Sequence, residues 1–237
     1  SLRRYNVKPV YYDPRIGAGI ADLINDKTCA IFLESPGSLT FEVQDVPAIT
    51  AIAKARGIPT IIDNTWSAGV YFKPFDHGVD ISVQALSKYQ AGHADAFMGS
   101  LIGATKGLFN KIWLTSKDLG LGVSPDDAFL VLRGLRSLSV RLERQSASAL
   151  QIARWLETRP EVARVLHPAL ESSEDHAIWK RDFHGASGLF GLILKQTSAE
   201  RVEAMLQSLK LFGLGFSWGG YESLAIPCDQ QIVHTAK

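Results

Sequence analysis

Cysteine is scarce in this chain, which contains only Cys29 and Cys228 in 237 residues. Two distant cysteines form no disulfide framework, and neither lies in a metal-ligand spacing. This usage favours a reducing, cytoplasmic setting. No apolar run approaches the roughly 20 residues that a membrane-spanning helix needs. We therefore expect no membrane partner, and the residues after Ser1 do not resemble a signal peptide.

An excess of charge of one sign is also lacking. The formal net charge is +1, and lysine and arginine are scattered along the chain. A nucleic-acid-binding protein usually shows its basic surface in the total charge, so we expect no nucleic-acid partner. The apolar content of 46% and the charged content of 21% are typical of a globular protein with a real core.

Strand-like and helical segments alternate in the first half of the chain. Runs of Ile and Val separated by helices predict an α/β fold with a mostly parallel sheet, covered on both faces by helices. The predicted strands are 28–34, 58–64, 79–84 and 97–104, and the predicted helices are 46–57 and 106–117.

A different pattern begins after the first half. Ser124 is a predicted N-cap, and apolar positions then recur at helical spacing as far as Leu156, with Gly134 as the interruption that divides or bends the helix. The last hundred residues predict a smaller α+β unit. We place the boundary near Gly134, which divides the chain into domains 1–134 and 135–237.

Two charged residues follow predicted strands. Asp63 closes the strand 58–64, and Lys88 comes soon after the strand 79–84. The working residues of parallel α/β sheets lie just past the carboxyl ends of strands, so both residues are candidates for an active site. The alternative is a structural ion pair or two unrelated surface residues, because structural pairs also shift titration.

The chemistry of pyridoxal phosphate would use both groups. That cofactor needs a lysine amine, here Lys88, to form a Schiff base. It also needs a carboxylate, here Asp63, which keeps the pyridine nitrogen protonated so that the ring can accept electrons. A hydroxyl beside the lysine, that of Ser87, would serve the phosphate. A lysine that ends a buried strand is otherwise costly, since its ammonium must lose its water.

The segments that carry these residues resemble a known family. Residues 82–95 and 61–69 resemble the lysine and aspartate signatures of the pyridoxal-phosphate-dependent enzymes of cysteine and methionine metabolism. Residues 32–49, 133–144 and 216–224 resemble one branch of it, the cystathionine β-lyases. The resemblance implies a type I aminotransferase-like fold with a cofactor domain and a smaller C-terminal domain. It also implies an amino-acid substrate and a homotetramer built from dimers.

The resemblance implies a role for five residues. Lys88 matches the Schiff-base lysine, Asp63 the partner of the pyridine nitrogen, and Ser87 the hydroxyl that binds the phosphate. Ser217 and Trp218 match positions that line the substrate pocket near the substrate carboxylate. No metal site is expected, because His93 and Asp95 lack a third partner.

Five positions bear on how closely the family pattern is followed. Leu86 and Gln90 are larger or more polar than the usual residues, and Ala85 offers the phosphate no second hydroxyl. Phe216 replaces a tyrosine common in the β-lyases. Ser38 stands where γ-acting relatives commonly carry asparagine, which favours the β-lyase branch.

The expected activity is cleavage of cystathionine to homocysteine, pyruvate and ammonia. One alternative is a γ-acting relative, a cystathionine γ-lyase or γ-synthase, which would share Lys88 and Asp63. The other is a non-catalytic remnant that keeps the fold. In its favour, these residues contain neither the glycine turn that usually binds the phosphate nor the C-terminal arginine for the substrate carboxylate. We interpret Trp66 and Trp113 as packing in the core or the cofactor pocket, and His167 as a turn residue.

Overall fold

The computed structural model describes residues 2–232. Within that range the chain alternates strands and helices, with 3-10 helices at Leu2–Tyr5, Gly17–Leu23 and Pro74–His77. The strands are β1 (Ile31–Glu34), β2 (Thr60–Asp63), β3 (Ile81–Ala85), β4 (Gly99–Gly103), β5 (Val162–Leu166), β6 (Gly191–Leu194), β7 (Gly213–Leu214) and β8 (Leu224–Ala225). The α-helices are α1 (Val46–Ala55), α2 (Lys106–Asp118), α3 (Pro125–Leu135), α4 (Leu138–Glu157), α5 (His176–Asp182) and α6 (Ala199–Ser208).

A four-stranded sheet with the order β1-β2-β3-β4 organises the first half. Its first three strands are parallel, and β4 runs antiparallel to β3. Glu34 pairs with Asp63, and Asp63 pairs with Val83, so the carboxyl ends of these three strands meet at one edge. The mostly parallel sheet is as the sequence predicts.

The two faces of this sheet are covered to different extents in the described part of the chain. Helix α1 begins at the N-cap Asp45, whose carboxylate accepts from the Ala48 amide, and it buries Val46 and Ile49 against the sheet. On the other face Phe32 is 55% exposed. The predicted covering by helices is thus incomplete around Phe32 within residues 2–232, although α2 packs on β4, where a Cβ at Gly103 would lie 2.9 Å from Leu108 Cβ. The alternation of the side chains explains both faces, because neighbouring strand residues point in opposite directions.

The long helical region is broken into two helices. Ser124 caps α3 by accepting from the Asp127 amide, as predicted. The chain then turns at Arg136 and Ser137 before α4 begins. At Gly134 any larger side chain would overlap the carbonyl of Gln90, so the end of α3 packs directly on the segment that follows β3.

The second half contains a two-stranded antiparallel sheet of β5 and β6, with α4 packed on β5. β7 and β8 form a short parallel pair. Phe183 and Ala186 belong to the same core cluster as Ile62, so this part of the chain also packs against the first half. The domain division near Gly134 stays a prediction.

Three further observations concern the surface. Trp113 is 54% exposed on α2 beneath the Lys117 ammonium, so its assignment to the core or the cofactor pocket is wrong within the described chain. No helix of residues 2–232 is both long and apolar enough to cross a membrane. The same residues contain no cluster of three or more acidic, histidine or cysteine side chains that could bind a metal ion.

Candidate active site

The predicted aspartate lies at the carboxyl end of β2, on the face of the sheet that α1 leaves open. One oxygen of Asp63, Oδ1, accepts hydrogen bonds from the backbone amide (2.9 Å) and the hydroxyl of Thr65. The Thr65 hydroxyl in turn accepts from the Ala85 amide at 2.9 Å. Within residues 2–232, every hydrogen bond to this carboxylate goes to Oδ1. Thr65 thus couples the aspartate to the end of β3 and leaves Oδ2 available.

A turn after β3 positions Lys88. The Lys88 amide donates to the Ala85 carbonyl at 3.2 Å, and the Lys88 carbonyl accepts from the Gly92 amide at 2.8 Å. Its ammonium donates to Ser217 Oγ at 2.8 Å and lies 5.2 Å from the centre of the Trp218 ring. Burial lowers the pKa of Lys88 below its ordinary value. The structure therefore brings together three of the five predicted residues around one amine.

The serine that contacts this amine has an unusual backbone. Ser217 has φ of +80°, in the left-handed region that side chains rarely adopt and that costs about 1 kcal/mol or more. Trp218 packs beside Tyr89, with ring centres 5.4 Å apart. A Cβ at Gly219 would lie 2.9 Å from the Tyr89 amide nitrogen, so glycine lets this loop approach the lysine segment closely.

Ser87 lies in the same turn as Lys88 and is half-buried. Its amide donates to the Met98 carbonyl at 3.3 Å. No hydrogen bond of its hydroxyl is found within residues 2–232, so the hydroxyl keeps both its donor and its acceptor capacity for a ligand.

A second carboxyl group lies beside Asp63. Glu34 ends β1 and pairs with Asp63 across the strands. The residue as a whole is exposed, but desolvation of its carboxyl group within the protein, together with the charge of Asp63, raises the pKa of Glu34 to about 7. The edge of the sheet therefore carries two neighbouring carboxyl groups, and a cationic group placed beside them would favour their ionised forms.

Three of the residues that depart from the family pattern have contacts or an exposure that the structure describes. Gln90 is buried, and its amide group hydrogen-bonds to the Gln84 side chain and the Ala68 carbonyl. The Leu86 amide donates to the Met98 carbonyl at 2.9 Å. Phe216 is 72% exposed.

Trp66, His167 and His93 differ in their surroundings. Trp66 is buried and donates from its indole nitrogen to the Leu189 carbonyl at 2.9 Å, which agrees with a packing role. His167 follows β5 in a turn, but it is also almost fully buried, and burial lowers its pKa to about 4. His93 contacts only the Ala91 carbonyl, at 2.7 Å, among its described hydrogen bonds.

Several residues around the site have no role predicted from the sequence. Thr65 joins the aspartate to β3, and the buried hydroxyl of Tyr89 accepts from the amides of Gly188 (3.1 Å) and Leu189 (3.2 Å). Desolvation by burial is the largest influence on the Tyr89 hydroxyl, and it raises the pKa of Tyr89 to about 12. Tyr89 directly follows the lysine, which is the one sequence signal that could have indicated its importance.

Comparison with known proteins identifies the family of this chain. The family model described as Cys/Met metabolism PLP-dependent enzyme matches residues 1–237. The chain is 44% identical to the cystathionine beta-lyase of Escherichia coli (strain K12) and 45% identical to that of Salmonella typhimurium. Each match covers 95% of this chain and 58% of the relative, so the chain spans somewhat more than half of their length.

A solved structure shares the fold. The cystathionine gamma-lyase of Lactobacillus plantarum complexed with L-serine matches with a TM-score of 0.90 and 28% identity, over 94% of this chain and 58% of that one. This likeness confirms the type I fold. Sequence signatures, strand-end geometry and the family match over the whole chain all agree, and the chain belongs to the family of pyridoxal-phosphate-dependent enzymes of cysteine and methionine metabolism.

Proposed function

We propose that the protein is a carbon–sulfur β-lyase that cleaves L-cystathionine to homocysteine, pyruvate and ammonia. One observation carries the proposal: the amine of Lys88, with its pKa lowered by burial, lies at the carboxyl edge of the sheet against Ser217 and Trp218. Family membership confirms pyridoxal phosphate as the cofactor.

The donor groups at this edge fit that cofactor. Lys88 supplies an amine of lowered pKa for covalent attachment. Asp63 has Oδ2 without a hydrogen bond in the described chain, so it can accept from a protonated ring nitrogen. Ser87 offers an uncommitted hydroxyl for the phosphate. Glu34 places a second carboxyl group beside Asp63, and a cationic ring there would favour the ionised forms of both.

The chain's own residues would act on protons. When bound, the cofactor supplies an electron sink for the charge that develops on the substrate Cα. Lys88 Nζ would remove the Cα proton, and the same amine would then protonate the sulfur that leaves the β-carbon. A lowered pKa favours this role, because a base must be neutral to accept a proton. The Ser217 hydroxyl holds Nζ in place in the described structure.

The substrate side of the site would be formed by Ser217 and Trp218. We assign the Ser217 hydroxyl to the region of the substrate carboxylate, and the Trp218 ring to the wall beside it. β-Elimination needs only the Cα proton to be removed, whereas γ-elimination needs a further proton transfer at Cβ. The β-lyase is supported by relatives at 44% and 45% identity, compared with 35% for the cystathionine gamma-lyase of Dictyostelium discoideum.

Product analysis of the full-length protein tests this choice. We expect incubation with cystathionine to yield pyruvate and homocysteine. Formation of 2-oxobutyrate and cysteine would instead identify a γ-lyase, and the absence of both keto acids, together with no visible cofactor band, would identify a non-catalytic protein. Cystathionine labelled with ¹³C in its cysteine half distinguishes the two keto acids by mass.

The organisation of the protein forms a second part of the proposal. We assign residues 1–134 to the cofactor domain and 135–237 to the smaller domain, in a cytoplasmic homotetramer built from dimers. Both cysteines are free thiols, which agrees with a reducing compartment. Exposed apolar side chains on α2 and α3 offer surface for burial on assembly: Phe109, Trp113, Leu114, Phe129 and Leu132. Sedimentation of the full-length protein measures the oligomeric state.

A further inference from the structure

Helix α4 contacts both segments that form the proposed site. Arg141 and Gln145 are four residues apart, so they lie on the same side of the helix. Arg141 reaches the segment that follows Lys88, and Gln145 reaches the loop that contains Ser217. The family resemblance of residues 133–144 includes Arg141 but not Gln145, and it gives neither side chain a role.

The Arg141 guanidinium binds backbone carbonyls on both sides of it. Nη1 donates to the Tyr89 carbonyl at 2.8 Å, and Nη2 donates to the Gln90 carbonyl at 3.3 Å. The same Nη2 donates to the Gly134 carbonyl at 2.9 Å, and Nε donates to the Ser137 hydroxyl at 3.0 Å. The planar fork of an arginine can satisfy such divergent acceptors, whereas a lysine cannot.

This arginine has no acidic partner in the described chain, where its hydrogen bonds all go to carbonyl and hydroxyl oxygens. A charged donor strengthens each of these bonds. Glycine at position 92 leaves the room that the guanidinium occupies, because a Cβ there would overlap it. The two carbonyls after Lys88 are thus held by one rigid group on α4.

Gln145 holds the other segment. Its Nε2 donates to the Gly220 carbonyl at 3.0 Å. A carbonyl can only accept, so the amide must present its nitrogen to Gly220, and its buried Oε1 is left without a partner in residues 2–232. The orientation of this side chain is therefore fixed by the loop that it supports.

We propose that Arg141 and Gln145 are positioning residues that keep the lysine segment and the Ser217 loop in register. The inference rests on the proposed function, in which Lys88 Nζ must stay against Ser217. A single 2.8 Å hydrogen bond joins those two side chains, and within residues 2–232 the regular structure beside the Ser217 loop is limited to the two-residue pair of β7 and β8. A rigid helix that binds both segments fixes a geometry that the loops alone would leave loose.

Matched variants of the full-length holoenzyme test this inference. Arg141→Lys keeps the charge and loses the fork, and Gln145→Met keeps the length and loses the donor. Arg144→Lys, on an exposed residue of the same helix, is the control. We expect Arg141→Lys to lower kcat by about 10- to 100-fold with KM changed less than threefold, because it loosens the base. We expect Gln145→Met to raise KM by about 3- to 10-fold, because it loosens the Ser217 loop.

A second readout is independent of turnover. The pH dependence of cofactor attachment to the cofactor-free protein is followed by absorbance, and borohydride reduction with peptide mapping identifies the lysine. Since burial lowers the pKa of Lys88, a looser segment should move the midpoint for attachment to higher pH in Arg141→Lys and leave it unchanged in Arg144→Lys. Thermal unfolding of each variant shows whether the assays are made on folded protein.

The outcomes separate the inference from the function. If the wild type is active and labelled at Lys88, but Arg141→Lys matches Arg144→Lys in kcat and in the attachment midpoint, the positioning role is wrong. A variant that only unfolds at lower temperature, with normal kinetics when folded, overturns it equally. A wild-type protein labelled at another lysine would instead overturn the proposed function, and this inference with it.

Discussion

The two faces of the four-stranded sheet differ in what they carry. On the face beneath α1, Leu33 and Ile62 are fully buried in the largest core cluster. On the opposite face, Phe32 is 55% exposed and the strand ends present Glu34 and Asp63. The same three parallel strands form both faces, and successive residues alternate between them. Residues that stabilise the core and residues proposed for the chemistry therefore alternate along the same strands.

This separation has a physical reason. A carboxylate beneath α1 would lose its water without a partner, which is costly. On the open face the Asp63 carboxylate keeps one oxygen bound to Thr65 and the other available. The sheet can therefore concentrate polar groups at one edge while α1 buries the apolar residues behind it. Variants on the open face should therefore lose activity, whereas variants on the face beneath α1 should lose stability.

The largest effect is expected from Lys88→Ala. Removal of the amine eliminates both covalent cofactor attachment and the proton transfers, so kcat should fall by at least about 1000-fold. Lys73→Ala is the control, because Lys73 is exposed and its ammonium contacts the Gly69 carbonyl. Steady-state kinetics and borohydride labelling measure the result. Retained labelling in Lys88→Ala would show that another lysine holds the cofactor.

Two adjacent residues test the division between the faces directly. Asp63→Asn should lower kcat by about 100-fold or more with little loss of stability, since an amide cannot balance a protonated ring nitrogen. Ile62→Ala should lower the free energy of unfolding by about 2–5 kcal/mol, with kcat per folded molecule nearly unchanged. Urea unfolding and kinetics on the same samples separate the effects. A large loss of stability in Asp63→Asn would contradict the division.

The strands and helix starts are well predicted from the sequence because their signals are local. Runs of Ile and Val mark β2 and β3, and Ser124 caps α3 by accepting from the Asp127 amide, as predicted. The site residues Lys88 and Asp63 come from signatures that follow strands, so their shared edge of the sheet follows from the parallel order. Their chemical roles stay predictions.

The supports of the site could not be predicted in the same way. Arg141 and Gln145 bind backbone carbonyls of residues that lie 51 to 75 positions away in the sequence. Every residue has a backbone carbonyl, so the residue type does not indicate which one accepts such a hydrogen bond. The exposure of Trp113 was missed for a related reason, because burial depends on what packs against α2 and not on the tryptophan itself. Local patterns predict elements, whereas long-range backbone contacts need the fold.

The smallest effect is expected from Glu34→Gln, and it concerns the pH dependence of stability in the cofactor-free protein. Desolvation and the charge of Asp63 raise the pKa of Glu34 from 4.5 to about 7 in the folded state. The protonated form is thus favoured by folding. The contribution of protonated Glu34 to the free energy of unfolding is fully present below about pH 4.5, and this contribution is lost as the pH rises through about 7.

Glutamine cannot ionise, so the variant should lack this loss. Relative to the wild type, Glu34→Gln should gain free energy of unfolding between pH 4.5 and 8, by less than about 1 kcal/mol because solvent screens a partly exposed group. Glu42→Gln makes the same chemical change elsewhere in the segment after β1 and is the control. Urea unfolding at the two pH values gives the differences. An equal gain in free energy of unfolding in both variants would show that Glu34 is not its source. If the gain in Glu34→Gln disappears in the Asp63→Asn background, part of the gain comes from the pairing of these two carboxyl groups on the open face.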